Sequence, residues 1–170
     1  LTPKTSRMLG KHLLYFQEDG ARLTLDEAFM RFATGKGSQS MGDALSIGIG
    51  VDPVWLRAEV SNPYGLAQAY RLAIETPWLD RIDTWLLHEG KVVEHVTGGD
   101  ALPFIERPMP YKYYAFETQF PKGVTQVLIR IETVGPMAIP VRLSAAPQAI
   151  ARDISSAYQY GILYGILLVL

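Results

Sequence analysis

From Ala44 to Leu143 the chain alternates apolar and polar residues with a period of two, and pairs of turn formers cut the run again and again. Alternation of that period belongs to strands that bury one face. The segments are Ala44–Ile49, Trp55–Ser61, Tyr70–Glu75, Arg81–His88, Lys91–Val96, Tyr111–Phe120, Thr125–Thr133 and Ile139–Leu143. Asn62-Pro63, Thr76-Pro77, Glu89-Gly90, Gly98-Gly99-Asp100, Pro121-Lys122-Gly123 and Gly135-Pro136 separate them. Short strands with turns at this spacing predict an all-β, jelly-roll β-sandwich. The 11 prolines and 15 glycines fit such a turn-rich chain.

Upstream, Leu13–Phe16 reads as one more strand, closed by Glu18-Asp19-Gly20. Thr24-Leu25-Asp26-Glu27 is a capping box and predicts a short helix to about Phe32, with Leu25, Phe29 and Phe32 on one side. Thr34–Gly42 is a Gly/Ser loop. Residues 1–12 are expected to be extended or disordered, residues 13–146 to form the domain, and residues 147–170 to form a connector helix opening at Pro147.

That connector carries the second constraint. No charge follows Asp153, so residues 154–170 form an uncharged run, with Tyr158, Tyr160 and Tyr164 near its start. A membrane-spanning helix needs about 20 apolar residues, and tyrosine favours the membrane–water boundary. The run reads as the start of a transmembrane helix; the competing reading is a terminal helix docked on its own domain.

At 170 residues the chain is long enough for one well-packed core. A net charge of -1 carries no electrostatic signature of nucleic-acid binding. The absence of cysteine excludes disulfides and thiolate metal sites. Enzyme signatures are missing. His12, His88 and His95 lack metal-ligand spacing, Gly48-Ile49-Gly50 lacks the third glycine of a dinucleotide loop, and there is no G-x-S-x-G elbow. Glu59 and Glu132 are a conceivable hydrolytic pair only if a fold brings them close. Asp80, Asp83 and Asp100 are candidate calcium ligands or, as their turn positions suggest, turn formers.

Strand parity separates two faces. Trp55, Arg57 and Glu59 share one face of their strand; Arg81, Asp83 and Trp85 share one face of theirs; Leu128, Arg130 and Glu132 do the same. Indole planes can stack on a sugar ring while arginine and carboxylate groups bond its hydroxyls. An ordinary solvated sheet face has the same composition. The candidate ligand set is Trp55 and Trp85 for stacking, Arg57, Arg81 and Arg130 as donors, Arg107 as a further donor from the loop Pro103–Pro108 expected to cover one end of the face, and Glu132 as acceptor. Arg57 and Glu132 are alternatively partners in an internal brace.

The motifs, taken in order, resemble a known family. Val54-Trp55-Leu56-Arg57 closed by Asn62-Pro63, Leu79-Asp80-Arg81-Ile82-Asp83, Thr97-Gly98-Gly99-Asp100 with Leu102-Pro103-Phe104 and Arg107-Pro108, Leu128-Ile129-Arg130-Ile131-Glu132, and Gly161-Ile162-Leu163-Tyr164-Gly165 are similar to successive motifs of the second type of extracellular domain in bacterial seven-transmembrane receptors with diverse intracellular signalling modules. Trp85 stands where that family often has tyrosine, and the second glycine before Asp100 is an addition.

The resemblance implies a jelly-roll sensor domain similar to carbohydrate-binding modules, displayed in the periplasm and followed by the first of several inner-membrane helices. A histidine kinase or diguanylate cyclase would form the cytoplasmic output. The implied ligand is a carbohydrate or related small polar molecule, with no catalysis by the domain and no required cofactor. A homodimer or a partner receptor is a further possible contact. The rival classes are an interaction module and a glycan-cleaving enzyme.

Overall fold

The structure, a computed structural model, describes residues 2, 4–64 and 69–169. Leu1 and Leu170, the outer limits of the two terminal segments, lie outside them.

Strand is the main regular structure, arranged as an all-β sandwich with one helix on its flank and one at its C-terminus. The strands are β1 (Ser6–Met8), β2 (Leu14–Gln17), β3 (Ser38–Gln39), β4 (Leu45–Ile49), β5 (Val54–Asn62), β6 (Ala69–Ile74), β7 (Arg81–His88), β8 (Lys91–Gly98), β9 (Tyr114–Gln119), β10 (Gly123–Glu132), β11 (Pro136–Ile139) and β12 (Val141–Ala145). One sheet has the order β1-β12-β6-β9, the other β3-β2-β5-β10-β7-β8, and β11-β4 is a separate ribbon. All pairings are antiparallel.

The inner faces follow the sequence parity. Val54, Leu56, Ala58 and Val60 of β5 meet Ile82 and Leu86 of β7 and Val127, Ile129 and Ile131 of β10 in one buried cluster. Leu72, Ile74, Phe116, Val141 and Leu143 close that cluster from the opposite sheet. Burial of these side chains drives the packing, each contributing about 1.5–3 kcal/mol.

Two local expectations are revised and one is made specific. Within residues 1–12 Ser6–Met8 takes the extended alternative, a strand that pairs with β12, Ser6 opposite Ser144. Three residues are too few to show a period, and their partner lies far along the chain. The segment expected as Ile139–Leu143 is two strands, β11 and β12, in different sheets, with Pro140 between them. The Gly/Ser loop contains the short strand β3.

Helix α1 (Leu25–Ala33) forms as the capping box predicts. The Glu27 N–H donates to Thr24 Oγ1 at 3.3 Å, and the Thr24 N–H donates back to Glu27 Oε2 at 2.8 Å. Asp26 and Glu27 in the first turn and Arg31 in the last complement the helix dipole. Ala28 and Phe32 are buried against Phe16, Trp55, Leu87 and Leu128 in a second apolar cluster. Thus α1 covers part of the outer face of the six-stranded sheet.

Helix α2 (Ala146–Val169) carries Pro147 in its first turn, where a missing N–H costs nothing. Its first turns lie on β6 and β12. Ala149 is buried, whereas Ile154, Tyr158, Ile162 and Leu163 are exposed, so the helix leaves the domain after Asp153. Among the described residues no helix is long and apolar enough to cross a membrane.

Candidate functional site

The register gathers six of the seven expected ligand residues on one face. Arg130 lies opposite Trp55 on one side and Asp83 on the other; Leu128 lies between Arg57 and Trp85; Glu132 is opposite Arg81. All six therefore project from the outer face of the six-stranded sheet. Arg107, the seventh, is expected on a loop rather than on the face, and it sits in the loop after β8, bound to Asp100 at 3.1 Å, near Pro77 and Tyr113.

This shared face is not an open recognition surface throughout, which corrects the sequence reading. Trp55 has no exposed area and Arg130 is 4% exposed, because α1 and the segment leading into it lie over them. Glu18, read from the sequence as part of a turn, is the missing partner. Arg130 Nε and Nη2 donate to its two carboxylate oxygens, both at 2.9 Å, and Trp55 Nε1 donates to Oε1 at 2.7 Å. Burial alone would raise the Glu18 pKa; the bonds from Arg130, Trp55 and the Leu23 N–H outweigh it and hold the carboxyl below its ordinary range. Conversely, the Glu18 bond holds the Arg130 guanidinium charged.

Trp85 has no free ring face. Trp55 stacks on one side, with centroids 5.3 Å apart, and His95 stacks on the other at 4.7 Å and 3°. Strand order places β5 and β8 on opposite sides of β7, so the two contacts use opposite faces of the indole. Neither tryptophan therefore presents a ring to a sugar. Nor does the brace between Arg57 and Glu132 form: Arg57 Nη2 bonds Glu59 at 2.6 Å and Glu132 takes Arg130 Nη1 at 2.8 Å.

Beside the ladder, Asp83 is buried and accepts from Arg81 Nε at 2.9 Å and Thr97 Oγ1 at 2.7 Å. Burial pushes its pKa up, but these bonds more than offset that and hold it below the ordinary value. Asp80 accepts the Val134 N–H, and Asp100 binds Arg107. The three aspartates considered for calcium thus serve separate partners, and among the described residues no group of three or more His, Asp or Glu side chains is placed to hold a metal. Glu59 is opposite Gln126, so Glu132 lies about 20 Å further along the sheet. The two carboxylates are therefore too distant for the glycosidase arrangement.

An accessible trough lies at the other side of Arg57. Strand β2 pairs with β5 only from Val54 to Arg57. Upstream of Leu14 the chain turns at Gly10–His12 and crosses to the other sheet as β1. A groove of about 250 Å³ opens between the sheets, lined by Thr5, Arg7, His12, Glu59 and Val60. It shares His12, Ala58 and Glu59 with an adjoining hollow of about 440 Å³ that adds Lys11, Gln39 and Arg57. Gln39 is fixed there by donating to the Lys11 carbonyl at 2.7 Å. Arg57 Nε is buried without a hydrogen-bond partner among the described residues. Arg7, Lys11 and Arg57 outnumber Glu59, so the lining is net positive. Sequence periodicity missed this trough because half of it comes from residues 5–12, which carry no pattern.

A second constellation seats α2. Asp153 accepts from Arg71 and, at 2.9 Å, from the Tyr111 hydroxyl. Arg152 binds Glu75, which also accepts from Arg142 Nε at 2.9 Å. Burial, reinforced by Asp153, pushes the Tyr111 hydroxyl up to about 12.

The fold is a two-sheet β-sandwich with a polar trough and a helix braced across one sheet. The family model described as 7TMR-DISM extracellular 2 matches residues 10–145, and the chain belongs to that family. It is a periplasmic sensor domain of a membrane receptor, of a kind that is non-catalytic in general. No curated protein matches the chain.

Proposed function

We propose that this domain senses a small polar ligand, a carbohydrate or a related molecule, in the trough lined by Arg7, Lys11, His12, Gln39, Arg57 and Glu59. The supporting observation is Arg57, a half-buried guanidinium whose Nε has no partner among the described residues, beside an open polar hollow. Clustered donors with one carboxylate acceptor match a polyhydroxylated molecule, and the positive balance favours one that carries a carboxylate. The antiparallel sheets, with non-sequential neighbours such as β12-β6 and β5-β10, support a jelly-roll relationship to carbohydrate-binding modules.

Signalling requires that the ligand bind two states of the domain unequally. Helix α2, entering the inner membrane beyond the domain, is the connector to a histidine kinase or diguanylate cyclase output. The clasp of Arg71, Glu75 and Tyr111 is the element whose seating the ligand would bias.

Calorimetric titration with neutral and carboxylate-bearing sugars tests this reading. Heat of binding is expected for the acidic set, with loss in Arg57→Ala at unchanged thermal stability. Absence of binding to either set, or undiminished binding to the variant, removes the trough as the site.

A further inference from the structure

The end of the sandwich from which α2 departs displays large apolar side chains that the described residues leave exposed. Trp78, Phe104, Ile105 and Val134 are 48%, 60%, 90% and 84% exposed. They surround one segment, Leu79-Asp80. On one flank the Val134 N–H donates to Asp80 Oδ2 at 2.9 Å, and Thr133 Oγ1 donates to the Trp78 carbonyl at 3.4 Å. On the other, the Asp100 and Ala101 N–H groups donate to the carbonyls of Leu79 and Asp80 at 2.7 and 3.1 Å, which anchors the loop bearing Phe104 and Ile105.

The display is held in place. Trp78 Nε1 donates to the Pro136 carbonyl at 2.9 Å. The Arg107 guanidinium lies over the Phe104 ring at 5.3 Å and is itself tied to Asp100. Trp78 and Phe104 are thus held at the surface by specific contacts. A monomer surrounded by water gains nothing from such an arrangement.

The same loop runs against α2. Tyr111 bonds Asp153, and Lys112 Nζ lies 5.9 Å from the Tyr160 ring. Tyr160 belongs to the uncharged run that begins at Ile154. The apolar rim and the apolar helix therefore leave the domain from the same end.

We propose that this end of the domain rests on the bilayer that α2 enters, with Trp78, Phe104, Ile105 and Val134 in the headgroup region. The proposal depends on the reading of α2 as a membrane helix. Aromatic and aliphatic side chains on a rigid loop suit that boundary, and an ammonium beside an interfacial tyrosine meets lipid phosphate. The β5 part of the trough, from Ala58 to Val60, lies toward the opposite end of β5 from Val54, which pairs with Ile131 near the rim. A domain held at both α2 and the rim has a set tilt, and a ligand at the far end acts on that tilt.

The test mixes the 170-residue chain with vesicles of phosphatidylethanolamine and phosphatidylglycerol, with and without bromine on the acyl chains near the headgroup. Flotation reads α2. Tryptophan emission reads the rim, because Trp55 is fully buried and Trp85 is enclosed between two rings while Trp78 is exposed. Brominated lipid is expected to quench the Trp78 emission, with no quenching left in Trp78→Phe. The Phe104→Ser/Ile105→Ser variant is expected to float normally but be quenched several-fold less. Flotation without quenching overturns the rim contact and leaves α2 in the membrane. Failure to float overturns both. Quenching that persists in Trp78→Phe, or an emission shift produced by protein concentration without lipid, also overturns it, the latter by assigning the rim to a second copy.

Discussion

Arg130 and Glu18 are separated by 112 residues and meet in a buried two-point ion pair, with Nε and Nη2 each 2.9 Å from a carboxylate oxygen. Both side chains are 4% exposed. The pair ties the centre of the six-stranded sheet to the segment that delivers α1. A buried pair adds little over an apolar replacement, but removing one partner strands the other charge. Arg130→Ala is expected to lower the stability by about 3–5 kcal/mol, measured as the urea unfolding free energy. Arg130→Met combined with Glu18→Leu is expected to lose distinctly less. Equal losses in the two variants would mean that packing, not the stranded charge, sets the cost.

The same carboxyl makes the fold acid-sensitive. Glu18 and Asp83 are both held below their ordinary values of 4.5 and 3.8. For a lowered pKa the stabilisation is present above the unfolded value and is lost as pH falls through the folded one. The urea midpoint should therefore stay level from neutral down to about pH 4.5 and fall below it. Glu18→Gln is expected to start from a lower midpoint and show a shallower acid decline. A decline as steep as that of the parent chain would remove Glu18 as a source of the effect.

The period-two segments were legible because the inward side of each central strand is mostly apolar while charged residues stand on the outward side. Val54, Leu56, Ala58 and Val60 went inward and Trp55, Arg57 and Glu59 outward, as alternation requires. Parity does not say what lies over the outer side. Thr24 and Glu27 announce a helix, yet nothing local indicates that Ala28 and Phe32 will settle on Trp55 and Leu128. Trp55 therefore read as a surface ring when it is core. Glu18 read as turn chemistry because its partner, Arg130, is remote in sequence. The trough was hidden for the same reason: β1 is defined by its bond to β12, and no pattern in three residues reveals a partner so distant.

Gly99 and Gly90 look alike in the sequence as turn glycines but differ in what a methyl group would meet. Gly99 has φ +129°, and a Cβ there would stand 2.2 Å from the Asp80 carbonyl oxygen. The backbone must come that close for the Asp100 and Ala101 N–H groups to bond Leu79 and Asp80. Gly90, at φ +74°, has open space. Gly99→Ala should cost about 2–4 kcal/mol, combining strain and overpacking. Gly90→Ala should cost about 1 kcal/mol. Thermal melts compare them; similar losses would show that the loop relaxes to admit a side chain.

Asp153 is the last charge before the uncharged run, and it is where α2 is fastened to the sandwich. It accepts from Arg71 on β6 and from Tyr111 on the loop before β9. In Asp153→Ala, Arg71 keeps Glu117 at 3.4 Å and the Tyr111 ring among the described residues, and Tyr111 loses its acceptor. Losing two such bonds, one of them ionic, weakens the seat of the helix by about 1.5–3 kcal/mol. Since each 1.4 kcal/mol is tenfold in an equilibrium, amide exchange across residues 146–157 should accelerate about tenfold or more. The core strands β5 and β10 share no bond with Asp153, so their protection is expected to stay as it was. Acceleration spread evenly over both sheets would make the clasp part of the global fold, and α2 could not then shift independently as a signalling element must.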